Sequence, residues 1–231
     1  MNPVENNTWL ALIAAISYLL GSLPTAYFVT KGMVGRDIRL EGSHKIGAMN
    51  AYSLIQGIRS PRQAALGLVT IMLVDLGKGV LAIYLTRWLL FLSYQPALAL
   101  IIGSFFTILG HNYPFCFRFK QGGTGFASFL GILLALNPYS LGVWGGTMLF
   151  CIFAAEHIIK GRWRPNSIRK IISVIGTQIP GRLIGLGISL VSIYFFDPGL
   201  LFPMLGPTIL VYIKHADSIR ALAGKSRKPQ K

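Results

Sequence analysis

The amino-acid sequence predicts an all-α, polytopic membrane protein with seven transmembrane helices. Three observations predict it. Of 231 residues, 53% are hydrophobic and 13% charged, about half the charged share of an average soluble domain. Seven apolar stretches recur along the chain, near 9–30, 64–86, 97–111, 126–136, 139–159, 183–196 and 200–213. The segments between them alternate strictly between rich and poor in Lys and Arg. A water-soluble core of this size cannot hide so much apolar surface, and the same composition excludes disorder.

A spanning helix needs about 20 mostly apolar residues. The first, second and fifth stretches reach that length, and the other four are short. Short stretches must borrow flanking residues, or their loops must dip into the membrane, where irregular backbone needs cover from protein or a polar cavity. The stretch at 9–30 lacks a basic n-region and a small-residue cleavage site, so it reads as a span and not as a signal peptide.

The charges fix the order of sides. Residues 1–8 carry Glu5 and no basic residue, whereas 31–62 hold Lys31, Arg36, Arg39, Lys45, Arg59 and Arg62. The turn at 87–97 has only Arg87, and 112–125 has Arg118 and Lys120. The turn at 137–140 has none, 160–170 holds Lys160, Arg162, Arg164, Arg169 and Lys170, and 197–199 carries only Asp197. The tail from Lys214 holds six more. Basic residues stay on the cytoplasmic side, so the expected topology is a single integral membrane domain over 1–231, N-terminus outside and C-terminus cytoplasmic. The net charge of +15 is thus a record of orientation. Its spread over alternate loops argues against a nucleic-acid surface. Cys116 and Cys151 form no CxxC, and the four histidines make no HxxxH, so neither a disulfide framework nor a metal site is expected.

The polar, glycine-rich segments fall on the expected cytoplasmic side. The loop 37–50 offers Gly42, Ser43, His44, Lys45, Gly47 and Asn50, an inventory suited to an anion, although an ordinary basic loop has it too. Lys120-Gln-Gly-Gly-Thr-Gly-Phe-Ala-Ser128 puts glycines before an apolar run. Free N–H groups and the helix dipole favour phosphate there, but the segment is not a Walker A loop. Asp75 and Lys78 share one face of the second span, either as a structural pair or as a functional site at membrane depth. His111 reads as a satisfied helix-end residue. No GxSxG elbow occurs, and no histidine has an aspartate five residues on, which removes two common acyl-transfer templates.

In order and topology these segments resemble the bacterial membrane acyl-phosphate:glycerol-3-phosphate acyltransferases. The residues that carry the resemblance are Gly21–Tyr27, Gly-Ser-His-Lys-Ile-Gly-Ala-Met-Asn (42–50), Asp-Leu-Gly-Lys-Gly (75–79) and Gly-His-Asn-Tyr-Pro (110–114). They continue with Phe-Lys-Gln-Gly-Gly-Thr-Gly-Phe-Ala-Ser (119–128) and His-Ala-Asp-Ser-Ile-Arg (215–220). The resemblance implies transfer of a fatty acyl group from acyl phosphate to glycerol 3-phosphate, giving lysophosphatidate for phospholipid synthesis. It implies a multi-pass cell-membrane enzyme with its site on the cytoplasmic face, acting as a monomer, without metal, cofactor or nucleic acid. Ser43, His215 and Asn50 are the expected catalytic residues. Lys45, Lys120, Gly122, Gly123, Thr124, Gly125, Ser128 and Lys78 are expected to bind substrate.

The chain departs from the family's motifs at several polar positions. Lys45 and Met49 stand for its Asn and Thr, Ser53 for its Arg, Thr124 for its second Lys, and Ser218 for its Asn. These changes leave an alternative: a degenerate relative that binds lipid or a partner without turnover. A small transporter built on Asp75 and Lys78 is a third reading.

Overall fold

The computed structural model describes residues 3–90, 95–161 and 167–222, all of them helix, turn or loop. Arg162, Arg164 and the basic tail beyond 222 lie outside the described residues. Helices α1 (Pro3–Gly21) and α2 (Thr25–Val34) are one apolar stretch broken at Ser22–Pro24. Pro24 has no N–H to continue the ladder. A loop leads to α3 (Ala48–Gln56), and Ser60 and Gln63 form a capping box that starts α4 (Pro61–Leu89), satisfying two otherwise orphan donors. Next come α5 (Pro96–Asn112), a 3-10 turn at Phe115–Phe117, α6 (Phe126–Leu136), α7 (Pro138–Lys160) and α8 (Ile168–Thr177). The chain ends with α9 (Ile179–Phe196), a 3-10 turn at Pro198–Leu200, α10 (Leu201–Lys214) and α11 (Ala216–Leu222).

Among the described residues, five segments are long and apolar enough to cross a membrane: Asn7–Val34, Pro61–Leu89, Pro96–Phe117, Pro138–Lys160 and Ile179–Phe196. The third and sixth stretches gain this length from flanking residues, as expected of short apolar runs. Phe126–Leu136 and Pro198–Lys214 remain short, and they fall on the fourth and seventh apolar stretches, both short in the sequence. The 11 residues of α6 rise about 16 Å, roughly half the hydrocarbon core.

Close backbone approach places α6. A Cβ on Gly79 of α4 would overlap the Ser128 carbonyl, and one on Gly131 of α6 would overlap the Leu76 carbonyl. Likewise Gly21 of α1 lies against the Thr107 carbonyl of α5, and Gly110 of α5 against that of Tyr18. Small residues allow such packing where the solvent gives no hydrophobic drive between helices.

The ends of the bundle sort by charge. Arg87 donates to the Ala135 carbonyl at 2.7 Å and the Leu136 carbonyl at 3.1 Å, capping α6. Asn137 caps α7 and donates to Asp197 at 2.9 Å. Leu10, Leu89 and Ala99 form one cluster. The segments poor in basic residues therefore meet at one end. At the other, the Arg39 guanidinium stacks 5.2 Å from the Tyr27 ring centroid and 4.7 Å from that of Phe117. Lys214 sits 4.2 Å over the Tyr113 ring. Three apolar clusters fill the interior, the largest around Phe129, Trp144 and Leu186.

Candidate active site

Asn50 shapes the first loop. Its Nδ2 donates to the carbonyls of Ile38 (3.3 Å), Glu41 (3.2 Å) and Lys45 (3.0 Å), while Oδ1 accepts from the Ser43 N–H at 3.1 Å. The amide is buried and fully occupied. Gly42 turns the loop with φ of 62°, and a Cβ there would overlap Asn50 Oδ1. His44 also adopts positive φ, held by its Nδ1 contact to the Arg39 carbonyl at 3.1 Å. Ser43 and Lys45 are exposed on the loop so formed.

The glycine turn is pressed against the end of α5. Gly123 N–H donates to the His111 carbonyl at 3.2 Å. A Cβ on Gly123 would overlap His111 Nε2 and lie 2.6 Å from the Ile46 carbonyl, and one on Gly122 would meet the Asn112 carbonyl. Gly125 caps α6 with φ of 79°, a left-handed conformation that favours glycine. Gly122, Gly123 and Gly125 are buried, Thr124 half-buried and Lys120 exposed.

Beneath the turn lies a cleft lined by Ser22, Thr25, Ile46, Asp75, His111 and Gly123, among others. Lys78 Nζ reaches Asp75 Oδ1 at 2.7 Å and the Leu23 carbonyl at 2.7 Å. It thereby adds a second donor to the Leu23 carbonyl at the break, which also accepts from the Thr25 N–H at 3.0 Å. The buried Ser128 hydroxyl donates to the Asp75 carbonyl at 2.9 Å. Its one proton is used there, so the 3.4 Å contact to His111 Nδ1 has the ring donating. His111 Nε2 then faces Gly123 and the cleft.

The last turn of α10 brings in His215. Its Nδ1 lies 2.9 Å from the Val211 carbonyl. A carbonyl only accepts, so Nδ1 carries the proton and Nε2 of the neutral ring has a free lone pair. Burial pushes the imidazole below its usual range, and Arg182 and Lys45 push it further, against the opposing pull of the Val211 carbonyl. Asn112 Nδ2 donates to the Leu210 carbonyl at 3.1 Å and Tyr212 Oη to the Leu183 carbonyl at 2.6 Å, tying α10 to α5 and α9. Segments distant in sequence thus meet at the end of α5: the first loop touches the glycine turn at Ile46, and Leu210 and Lys214 tie α10 to Asn112 and Tyr113.

A sequence profile described as glycerol-3-phosphate acyltransferase matches residues 11–225. The chain is 32% identical over 213 residues to the glycerol-3-phosphate acyltransferase of Anaplasma phagocytophilum (strain HZ), covering 92% of this chain and 94% of that one. This chain belongs to the glycerol-3-phosphate acyltransferase family. It is also 39% identical over 157 residues to the enzyme of that name from Thermosynechococcus vestitus (strain NIES-2133 / IAM M-273 / BP-1), covering 65% of this chain and 69% of that one. The crystal structure of PlsY (YgiH), an integral membrane glycerol 3-phosphate acyltransferase in its glycerol 3-phosphate form, superposes with a TM-score of 0.65. It covers 96% of each chain at 19% identity, a likeness of fold.

Placed in this acyltransferase, the expected site residues separate into two groups. Gly122 and Gly123 line the cleft, Ser43, Lys45 and Lys120 are exposed on the two loops, and His215 follows the end of α10. Asn50 commits its amide to the first loop, where it bonds four backbone groups. Lys78 and Ser128 are similarly committed to Leu23, Asp75 and the seating of α6. Ser53, which stands for the family's arginine, returns its hydroxyl to the Met49 carbonyl at 3.1 Å. His111, expected only as a helix end, and Asp75 line the cleft, as do Ser22 and Thr25. Their sequence signal was Pro24, which breaks a span at the depth of an ionisable residue.

Proposed function

We propose that this acyltransferase moves a fatty acyl group from acyl phosphate to the 1-hydroxyl of glycerol 3-phosphate at the cytoplasmic face of the cell membrane. The observation that carries this reading is the meeting of the first loop, the glycine turn and His215 at the basic end of an otherwise apolar bundle. A membrane-bound chain can stay in the bilayer there while both phosphates remain at the polar end. The C-terminus and the basic loops are cytoplasmic in this orientation, and the enzyme works as a monomer.

The backbone N–H groups of Gly122 and Gly125, beside Thr124 at the start of α6, hold the phosphate of glycerol 3-phosphate, and Gly123, whose N–H is bound to the His111 carbonyl, sets the shape of the turn. Lys45 and Lys120 add charge that offsets repulsion between two anions. His215 Nε2 takes the proton as the 1-hydroxyl oxygen bonds to the acyl carbon. The acyl–oxygen bond to phosphorus-bound oxygen breaks, and inorganic phosphate leaves with the electron pair. Ser43 donates a hydrogen bond to the phosphate end of the donor. Acyl phosphate is already activated, so alignment supplies much of the rate. The test is purified protein with acyl phosphate and labelled glycerol 3-phosphate. Lysophosphatidate is expected from wild type and not from His215→Ala, and equal product from both would overturn the role of His215. No product from wild type overturns the reaction itself.

A further inference from the structure

His111 takes no part in the steps above, yet it holds the glycine turn with both its backbone and its ring. It is the next-to-last residue of α5, half-buried where that helix ends. Its carbonyl accepts from the Gly123 N–H at 3.2 Å. Its ring lies against the same residue, so that a Cβ on Gly123 would overlap Nε2. A Cβ on Gly122 would come within 2.5 Å of the His111 carbonyl.

A histidine that merely ends a helix bonds its own last turn. The His111 ring reaches elsewhere: its Nδ1 partner is Ser128 Oγ at 3.4 Å, in the first turn of α6. Ser128 is fully buried and donates to the Asp75 carbonyl at 2.9 Å, and the Asp75 carboxylate is held by Lys78 at 2.7 Å. The ring is therefore anchored on the contact of α4 with α6, where Gly79 and Gly131 let the backbones touch. A rigid part of the bundle meets the turn through one side chain. The turn needs that support. Glycine loses more conformational freedom on ordering than any other residue, and Gly122, Gly123 and Gly125 carry no side chains with which to fix themselves. Backbone N–H groups stabilise an anion best when they are already aimed at it.

We propose that His111 is a positioning residue, whose ring holds the glycine turn in the shape that binds the acceptor, glycerol 3-phosphate. The proposal rests on the acyl-transfer reading for the ligand of the turn, not for the contact that shapes it. Nδ1 ties the ring to Ser128, and the edge carrying Nε2 fills the space beside Gly123 that no side chain could share. In this role His111 moves no proton and touches no reacting atom.

The experiment uses full-length protein in detergent, with His111→Ala, His111→Asn, Gly123→Ala and the double variant His111→Ala/Gly123→Ala. Thermal midpoints establish that each is folded. Hydrogen exchange without substrate reads the turn, and steady-state kinetics reads its ligand. In His111→Ala the amides of 119–125 should exchange faster than in wild type. The KM for glycerol 3-phosphate should rise about tenfold or more, the size of one hydrogen bond lost to a charged group. The kcat and the KM for acyl phosphate should stay close to wild type, as when uniform binding is removed. His111→Asn, which sets an amide donor near the place of Nδ1, should recover part of the loss. Gly123→Ala should raise the KM by a smaller factor in the His111→Ala background than in wild type, because the ring it collides with is gone. If His111→Ala does not fold, His111→Asn, alone and with Gly123→Ala, carries the same readings. An unchanged KM for glycerol 3-phosphate in folded, active His111→Ala overturns the proposal, whatever the exchange rates. A fall in kcat at constant KM also overturns it, in favour of a chemical role, and so does an equal rise in both KM values, in favour of general packing. Faster exchange in the turn of His111→Ala, with no lysophosphatidate from wild type, leaves His111 as the support of the turn and removes the acyl-transfer reading.

Discussion

The ammonium of Lys78 bridges the carboxylate of Asp75 and the carbonyl of Leu23, 2.7 Å from each. The bridge joins the middle of α4 to the break between α1 and α2. All three groups lie where water is scarce, and the ammonium adds a second donor to the Leu23 carbonyl, which also accepts from the Thr25 N–H at 3.0 Å. Removing the ammonium leaves a buried carboxylate without its ionic partner. Lys78→Met is therefore expected to cost about 3–5 kcal/mol, the usual cost of halving a buried pair. The double variant Asp75→Leu/Lys78→Met should cost less than Lys78→Met alone, because no charge is left unpaired. Thermal midpoints in detergent decide this, and a double variant worse than the single one would place the main cost elsewhere.

Asn50 offers a sharp contrast between a structural and a chemical role. Its two amide protons serve three carbonyls and its oxygen serves the Ser43 N–H. Each such bond contributes about 0.5–1.5 kcal/mol net. Asn50→Asp keeps the size but has no N–H to donate and sets charge against three carbonyls. The Asn50→Asp change is expected to be at least as damaging as Asn50→Ala, with faster proteolysis of 38–47 in both. Retained activity and a protected loop in the Asn50→Asp variant would show that the amide donors do not hold the loop.

The sequence made the bundle legible because membrane spans and basic loops obey coarse rules. The alternation of Lys and Arg anticipated which turns would gather, and Asn137–Asp197 and Arg87–Leu136 join turns that are poor in those residues. Closeness of helices was not legible. Gly79 and Gly131 show that backbones can touch, but only the fold says that α4 and α6 are the partners. Candidates for the site stand out in the sequence at Ser43, the glycine turn and His215, whose residue types advertise chemistry. The backbone bonds of Lys78 and Asn50 were not legible, because polar residues that satisfy backbone look the same in sequence as those that bind ligands.

Gly123 has no room for a methyl group. A Cβ would collide with His111 Nε2 and crowd the Ile46 carbonyl, both walls of the cleft, so the turn must move by a fraction of an ångström or more. Gly123→Ala is expected to raise the KM for glycerol 3-phosphate by about tenfold or more, because misplaced N–H groups lose charge-assisted hydrogen bonds. Gly77 in α4 has nothing within 4 Å of its Cβ direction. Gly77→Ala should leave kinetics unchanged and stabilise the helix by up to about 1 kcal/mol. Equal KM values for the two variants would separate the glycine turn from acceptor binding.

Asp37 and Arg39 give a pH test of how the first loop is anchored. Arg39 bonds both Asp37 oxygens, at 2.9 and 2.6 Å, while its guanidinium stacks on Tyr27 of α2 and on Phe117 before the glycine turn. That hydrogen-bonded fork holds the Asp37 carboxyl at about 2, below its ordinary 3.8. A depressed folded value means that the pair stabilises above the ordinary value and that its contribution disappears as pH falls through the folded one. Wild type should therefore lose thermal stability between about pH 4 and pH 2 more steeply than Asp37→Asn, which has no carboxyl to protonate. At pH 7 Asp37→Asn should melt lower. The fork is partly exposed, so added salt should narrow the difference. Parallel pH profiles for the two proteins would mean that the stacking of Arg39 on the two rings anchors the loop without help from Asp37.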